Sequence, residues 1–191
     1  MAAVESAVVA YLRALHPGDP PPTVLLYAMP DRLIAIEVGR EAATLVMLLA
    51  VAILAGRGRW ERFLYFSLAF GIWDICYYVW LWVFIAWPPS LLTWDVLFLI
   101  PVPWLAPVLA PVIVSVCLVA GASWLLALEA RGGGATPAIP RWAWAVAAAG
   151  GVLVLVSFMR AEPPAFRWEL FGIGVGAGVA ALVAGVVGKR R

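Results

Sequence analysis

Five apolar stretches, at about 33–55, 63–86, 105–128, 142–159 and 169–187, constrain this chain more than any other feature. Each holds roughly 20 residues, the length at which a helix crosses the hydrocarbon core of a bilayer. Helix is the expected conformation, since it satisfies its own backbone polar groups where no water can. Composition agrees: 65% of residues are hydrophobic and 13% charged. In soluble domains, about half are apolar and about a quarter charged. The expected fold class is therefore all-α, a polytopic membrane helix bundle of five transmembrane helices.

The basic residues predict its orientation. Arg57, Arg59 and Arg62 lie between helices one and two, Arg131 and Arg141 between three and four, and Lys189, Arg190 and Arg191 end the chain. These regions fall on one face of a five-helix topology. On the other, Arg13, Arg32, Arg160 and Arg167 are diluted by Glu5, Asp19, Asp31, Asp95, Glu162 and Glu169. The positive-inside rule then gives N-out/C-in. The expected organisation is an outer N-terminal segment, 1–30, followed by a single five-helix domain, 31–191. Residues 2–15 place Val4, Val8, Leu12 and Leu15 near one helical face, the pattern of a short amphipathic helix on the outer surface. They lack a basic n-region, and HPGDPPP is no small-residue cleavage site, so a secretory signal peptide is not expected. HPGDPPP reads as a loop, and Thr23–Met29, too short to span, as an interfacial stretch.

The segment 88–104 (PPSLLTWDVLFLIPVPW) breaks the pattern. It reads as a short outer or re-entrant helix at about 91–99, a break at Pro101–Pro103, and then the third span. Pro103, Pro107 and Pro111 would share one face of that span and free the carbonyls of Leu99, Pro103 and Pro107.

Several chemistries are disfavoured. The sole histidine, His16, lies outside every span, so neither haem nor a histidine-ligated metal is expected. Cys76 and Cys117 sit in different apolar segments and read as buried small hydrophobes. A net charge of +2 offers nothing for nucleic acid. Trp80, Trp82, Trp87, Trp94 and Trp104 flank the outer ends of helices two and three as an aromatic belt would. Gly172, Gly174, Gly176 and Gly178 give the fifth helix overlapping GxxxG spacings. Close packing is expected there, within the chain, in a homo-oligomer or in a larger membrane complex.

Charges inside the apolar stretches are the best guide to function. Glu37, Arg40, Glu41 and Thr44 form one stripe of helix one, and Asp74 lies midway along helix two. Each such charge costs about 2.5–3.5 kcal/mol at a helix centre and, when present, usually marks a site. Tyr77 and Tyr78 lie one turn beyond Asp74, and Asp95 opens the broken segment. The expectation is a common site for Glu37, Arg40, Glu41, Asp74, Tyr77, Tyr78 and Asp95 in the outer half of the bundle. The formal charge of Glu37, Glu41 and Asp74 against Arg40 is −2, or −3 with Asp95. Such an excess calls for protonation or a bound cation. Oxygen ligation alone would suit hard ions such as Na⁺, Mg²⁺, Ca²⁺ or Mn²⁺. A purely structural reading stands beside this: Glu37 and Arg40 as a local pair, with Asp74 hydrogen-bonded to a tyrosine as packing glue.

Three functions are compatible with these residues. The first is a binding or accessory subunit with an intramembrane acidic site. The second is a proton- or cation-conducting protein, and the third a membrane enzyme using Asp74 and Asp95 as a carboxylate pair. Helix count and tryptophan content are similar to the tryptophan-rich sensory protein family, which has five helices and binds tetrapyrroles; that likeness is architectural, without shared motifs. Separately, Glu37 through Pro111, especially WDICYYVWLW, WPPSLLTWDVLFLIPVPW and APVLAP, resembles a group of short bacterial polytopic membrane proteins with no known activity. The resemblance implies a bacterial inner-membrane location and carries over no site residues.

Overall fold

The computed structural model describes residues 1–15, 30–132 and 139–188. Six helices lie among the described residues: α1 (Ala2–Ala14), α2 (Asp31–Ala55), α3 (Arg59–Ile85), α4 (Leu109–Arg131), α5 (Arg141–Met159) and α6 (Trp168–Val187). Between α3 and α4 lie two strands, β1 (Trp94–Phe98) and β2 (Trp104–Pro107). Helices α2 to α6 are each long and apolar enough to cross a membrane, which makes this a multi-pass membrane protein. The HPGDPPP loop, His16, Thr23–Met29 and the C-terminal basic triplet lie outside the described residues.

The spanning helices expose many large apolar side chains and bury stripes that mix polar, small and apolar ones. Ile36, Val46, Leu49, Leu54, Trp82 and Val83 face outward, as a lipid-solvated surface requires. The buried stripe of α2 is Glu37, Glu41, Thr44, Leu48 and Ala52, polar in its first half and apolar in its second. That of α3 is Leu64, Ser67, Gly71, Asp74, Tyr78 and Leu81, a three-four alternation that keeps one seam facing its neighbours. Gly71 is needed in that seam, because a Cβ there would lie 2.7 Å from the Ser115 carbonyl oxygen of α4.

The chain divides into two compact units, Met1–Ala122 and Ser123–Arg191. In the second, α5 and α6 pack through glycines. A Cβ on Gly150 would lie 2.5 Å from the Gly174 carbonyl oxygen, and one on Gly174 would lie 2.7 Å from that of Gly150. The glycine seam of the fifth span is thus used within the chain at Gly174, whereas Gly172 and Gly176 meet no neighbour.

The segment before the third span corrects the sequence reading. Residues 94–98 form a strand, not part of a short outer or re-entrant helix, and pair antiparallel with 104–107. Trp94, Val96 and Phe98 alternate as a strand would have it, and Pro101, Pro103 and Pro107 deny a helix the donors it needs. Val96 lies opposite Leu105 and Asp95 opposite Ala106, with a bulge before Phe98. The third span consequently begins at Leu109 rather than near 105. Pro103 and Pro107 precede it, and Pro111 sits in its first turn, where no intrahelical donor is required. The predicted set of carbonyls freed inside a helix does not arise.

Candidate functional site

Positions along the helices already bring the acids level. Glu41 is ten residues from the start of α2, roughly 15 Å, and Asp74 is eleven from the end of α3, roughly 16 Å. The short turn at 56–58 folds α2 back on α3, so these two depths are measured from the same end of the bundle. Within the first unit, a cavity of about 120 Å³ opens there. Its lining includes all seven residues singled out in the sequence: Glu37, Arg40, Glu41, Asp74, Tyr77, Tyr78 and Asp95. Helix α1 and the hairpin close the remaining sides with Val9, Leu12 and Arg13, and with Val96 to Leu99.

Each acid has a partner of its own. Arg40 donates from Nε to Glu37 at 2.8 Å, and its Nη2 lies 2.7 Å from the same oxygen. That is the local pair read from the sequence. The structure adds a third member, Glu5 of α1, which pairs with Arg40 and accepts from the Thr44 hydroxyl. Glu41 accepts the backbone N–H of Leu99, at 3.1 and 2.9 Å from its two oxygens. Without that acceptor the Leu99 donor would be left unpaired in the wall of the cavity. Asp74 accepts from the Ser115 hydroxyl of α4 at 2.7 Å, not from a tyrosine. Tyr78 donates instead to Asp95 at 3.2 Å. Among the described residues the hydrogen-bond partners of Asp74 and Asp95 are thus Ser115 and Tyr78, and no hydrogen bond joins the two acids directly.

Asp95 is only 6% exposed. Burial pushes its carboxyl up to about 6, against the opposing pull of Arg13 and the Tyr78 hydroxyl. Arg13 itself lies 4.1 Å above the Trp87 ring at the end of α3, a cation–π contact that anchors the far end of α1. At the near end, Ser6 donates to the Tyr77 carbonyl at 2.9 Å. Held at these two points, α1 packs against α3 with Glu5 and Ser6 buried and Val4, Tyr11 and the following Leu15 exposed. Its polar residues therefore face the protein, while part of the apolar face read from the sequence faces out.

One wall of the cavity is aromatic. Trp73 and Tyr77 stack with centroids 6.1 Å apart, and Phe98 of the hairpin packs on both Phe70 and Trp73. The Trp73 indole N–H is buried and has no acceptor. Sequence reasoning missed Glu5, Arg13, Trp73, Phe98 and Ser115. Glu5 and Ser6 were legible as a polar pair within an otherwise apolar run, but a surface helix would have turned them to water.

The carboxylates do not converge on a point. No three of the acids, among the described residues, are grouped closely enough to hold a metal ion. They are instead spread around a small chamber. Glu5, Glu37, Glu41, Asp74 and Asp95 against Arg13 and Arg40 leave a formal charge of −3. Comparison of the chain with protein-family models, with curated proteins and with solved structures finds no match.

Proposed function

We propose that the chain is a binding or accessory subunit of the bacterial inner membrane, N-out/C-in, that holds a positively charged group in the acidic cavity of its outer half. The observation that carries this reading is the gathering of four carboxylates and two tyrosines around one chamber with only two guanidinium groups to balance them. In a low-dielectric setting such an excess attracts a cation or a proton. The basic residues Arg57, Arg59 and Arg62, with Arg131 and Arg141, support the orientation. Mass spectrometry under non-denaturing conditions, on protein taken from native membranes into nanodiscs, tests it. A mass above that of the bare chain is expected, and its loss in the Glu41→Gln/Asp74→Asn double variant. Bare chain alone from the unaltered protein overturns the reading.

Proton or cation transport is the second reading, favoured by Asp95. A carboxyl held at about 6 exchanges its proton close to neutral pH. Acid-driven flux in proteoliposomes, abolished by Asp95→Asn, is the expected result. Flux equal to that of empty liposomes refutes it.

A further inference from the structure

At 13 residues α1 is too short to cross a bilayer, which takes about 20, yet its contacts lie at membrane depth. With 27 residues α3 is roughly 40 Å long, so when centred on a hydrocarbon core of roughly 30 Å it overhangs by about 5 Å at each end. Tyr77 is eight residues from the end of α3, which puts its carbonyl roughly 7 Å inside the core. The Ser6 hydroxyl donates to that carbonyl. Glu5 reaches deeper. Its partners are Arg40 and Thr44, which lie roughly 10 and 16 Å inside when α2 is centred in the same way. Val9 packs on Tyr78, Leu81 and Trp87, and Arg13 lies over the Trp87 ring, just past the end of α3. From Glu5 to Arg13, α1 thus meets positions progressively nearer that end.

The outward side chains fit such a course. Within α1 the exposed residues are Val4, Tyr11 and Ala14. Its two charged residues are engaged with the protein, Glu5 buried against Arg40 and Arg13 stacked on Trp87. A helix lying between protein and water shows the reverse, with its apolar side inward and its charges out. Counted from Ser6, Val4 falls roughly 10 Å inside the core and Tyr11 at its boundary, with Arg13 just beyond, where aromatic and basic residues belong. At similar depths α2 and α3 expose Ile36 and Val79, so the outward face of α1 matches the lipid-facing surface of the spans. We infer that α1 is a half-membrane helix immersed in the leaflet at which α3 ends, and that lipid acyl chains cover its outward face. The α1 wall of the cavity then separates the chamber from lipid rather than from water.

Nitroxide accessibility tests this on the full chain in proteoliposomes, in a Cys76→Ala/Cys117→Ala background. Spin labels are attached through Val4→Cys, Tyr11→Cys and Ala14→Cys, with Val46→Cys on the exposed face of α2 as the lipid-facing reference. All four positions are exposed, so labelling leaves the buried contacts in place. Oxygen concentrates among acyl chains and a nickel chelate in water, so the ratio of their relaxation effects reads depth. The ratio is expected to fall in the order Val4, Tyr11, Ala14, with Val4 closer to Val46 than to Ala14. A ratio at Val4 no higher than at Ala14 overturns the inference and places α1 in water. Protection of the Val4 label from both reagents also overturns it and assigns the face to protein. Dipolar broadening that disappears on dilution with unlabelled chain then identifies that protein as a second copy.

Discussion

Arg40 ties α1 to α2, and removing it should be the most damaging single change around the cavity. Its guanidinium pairs with Glu37 one turn earlier in α2 and with Glu5 on α1. The Glu5 side chain is 6% exposed, that of Glu37 12% and that of Arg40 24%. Arg40→Gln thus strands two largely buried carboxylates. Breaking a buried pair by deleting one partner costs about 3–5 kcal/mol. Because Arg40 is a quarter exposed, water relieves part of that penalty, and the lower end, about 3 kcal/mol, is the better figure. Thermal unfolding in nanodiscs should show the loss, and amide exchange should show it first in α1, which Glu5 ties to α2. The control is the triple variant Glu5→Gln/Glu37→Gln/Arg40→Gln, which removes the whole charged group. Replacing an entire buried ionic network with well-packed apolar side chains of similar volume is often close to neutral in stability, and glutamine keeps the volume of the two glutamates and removes the charge. The triple variant is therefore expected to recover most of what Arg40→Gln loses. An Arg40→Gln protein within about 0.5 kcal/mol of the original, as for an ordinary surface change, would refute the reasoning. So would a triple variant no more stable than the single one.

Asp95 should leave a pH signature. Its carboxyl sits at about 6 in the folded chain against an ordinary 3.8. The folded state therefore binds the extra proton, and the stability from this residue is full below about 4 and lost as pH rises through about 6. The difference amounts to about 3 kcal/mol, and Asp95→Asn should flatten the stability profile between those limits; an unchanged slope contradicts it. Gly174→Leu drives a side chain into the Gly150 carbonyl, 2.7 Å from where the Cβ would lie, and should lower stability by about 1–3 kcal/mol. Gly176→Leu, with no neighbour within 4 Å, should not, and equal losses in the two variants would count against the packing account. Glu41→Ala leaves the Leu99 N–H without its acceptor, at a cost of about 1–3 kcal/mol, visible as faster exchange of the Leu99 amide than in Glu41→Gln.

The five spans were legible because lipid imposes a strong rule: about 20 apolar residues, closed on themselves as helix. The stripe Glu37–Arg40–Glu41–Thr44 was legible for a related reason, since charges within such a stretch turn inward. Where the rule weakens, so did the reading. Residues 94–98 are apolar enough for a helix, and only the alternation of Trp94, Val96 and Phe98 with the following prolines signals a strand. The hairpin's end is also held by Glu41, 58 residues away, which accepts the Leu99 N–H, a contact no local pattern contains. Glu5 was hidden by a different ambiguity. Periodicity finds the two faces of α1 but not which of them meets protein, and that choice was made by Arg40, Thr44 and the Tyr77 carbonyl.

The partners that explain each acid singly do not explain their charge. A glutamine at 41 would accept the Leu99 N–H, and an asparagine at 74 would accept from the Ser115 hydroxyl, without a charge to remove from water. Neutral donors of this kind reduce the cost of a buried carboxylate but leave its charge uncancelled. Arg40 balances one of its two acids, and Arg13, stacked on Trp87, stands against Asp95. The residual negative charge lies where neutral side chains could have built the same hydrogen bonds. What distinguishes a carboxylate from its amide in that chamber is that it can carry a negative charge or take up a proton, and neither capacity is needed for the hydrogen bonds that Glu41 and Asp74 make.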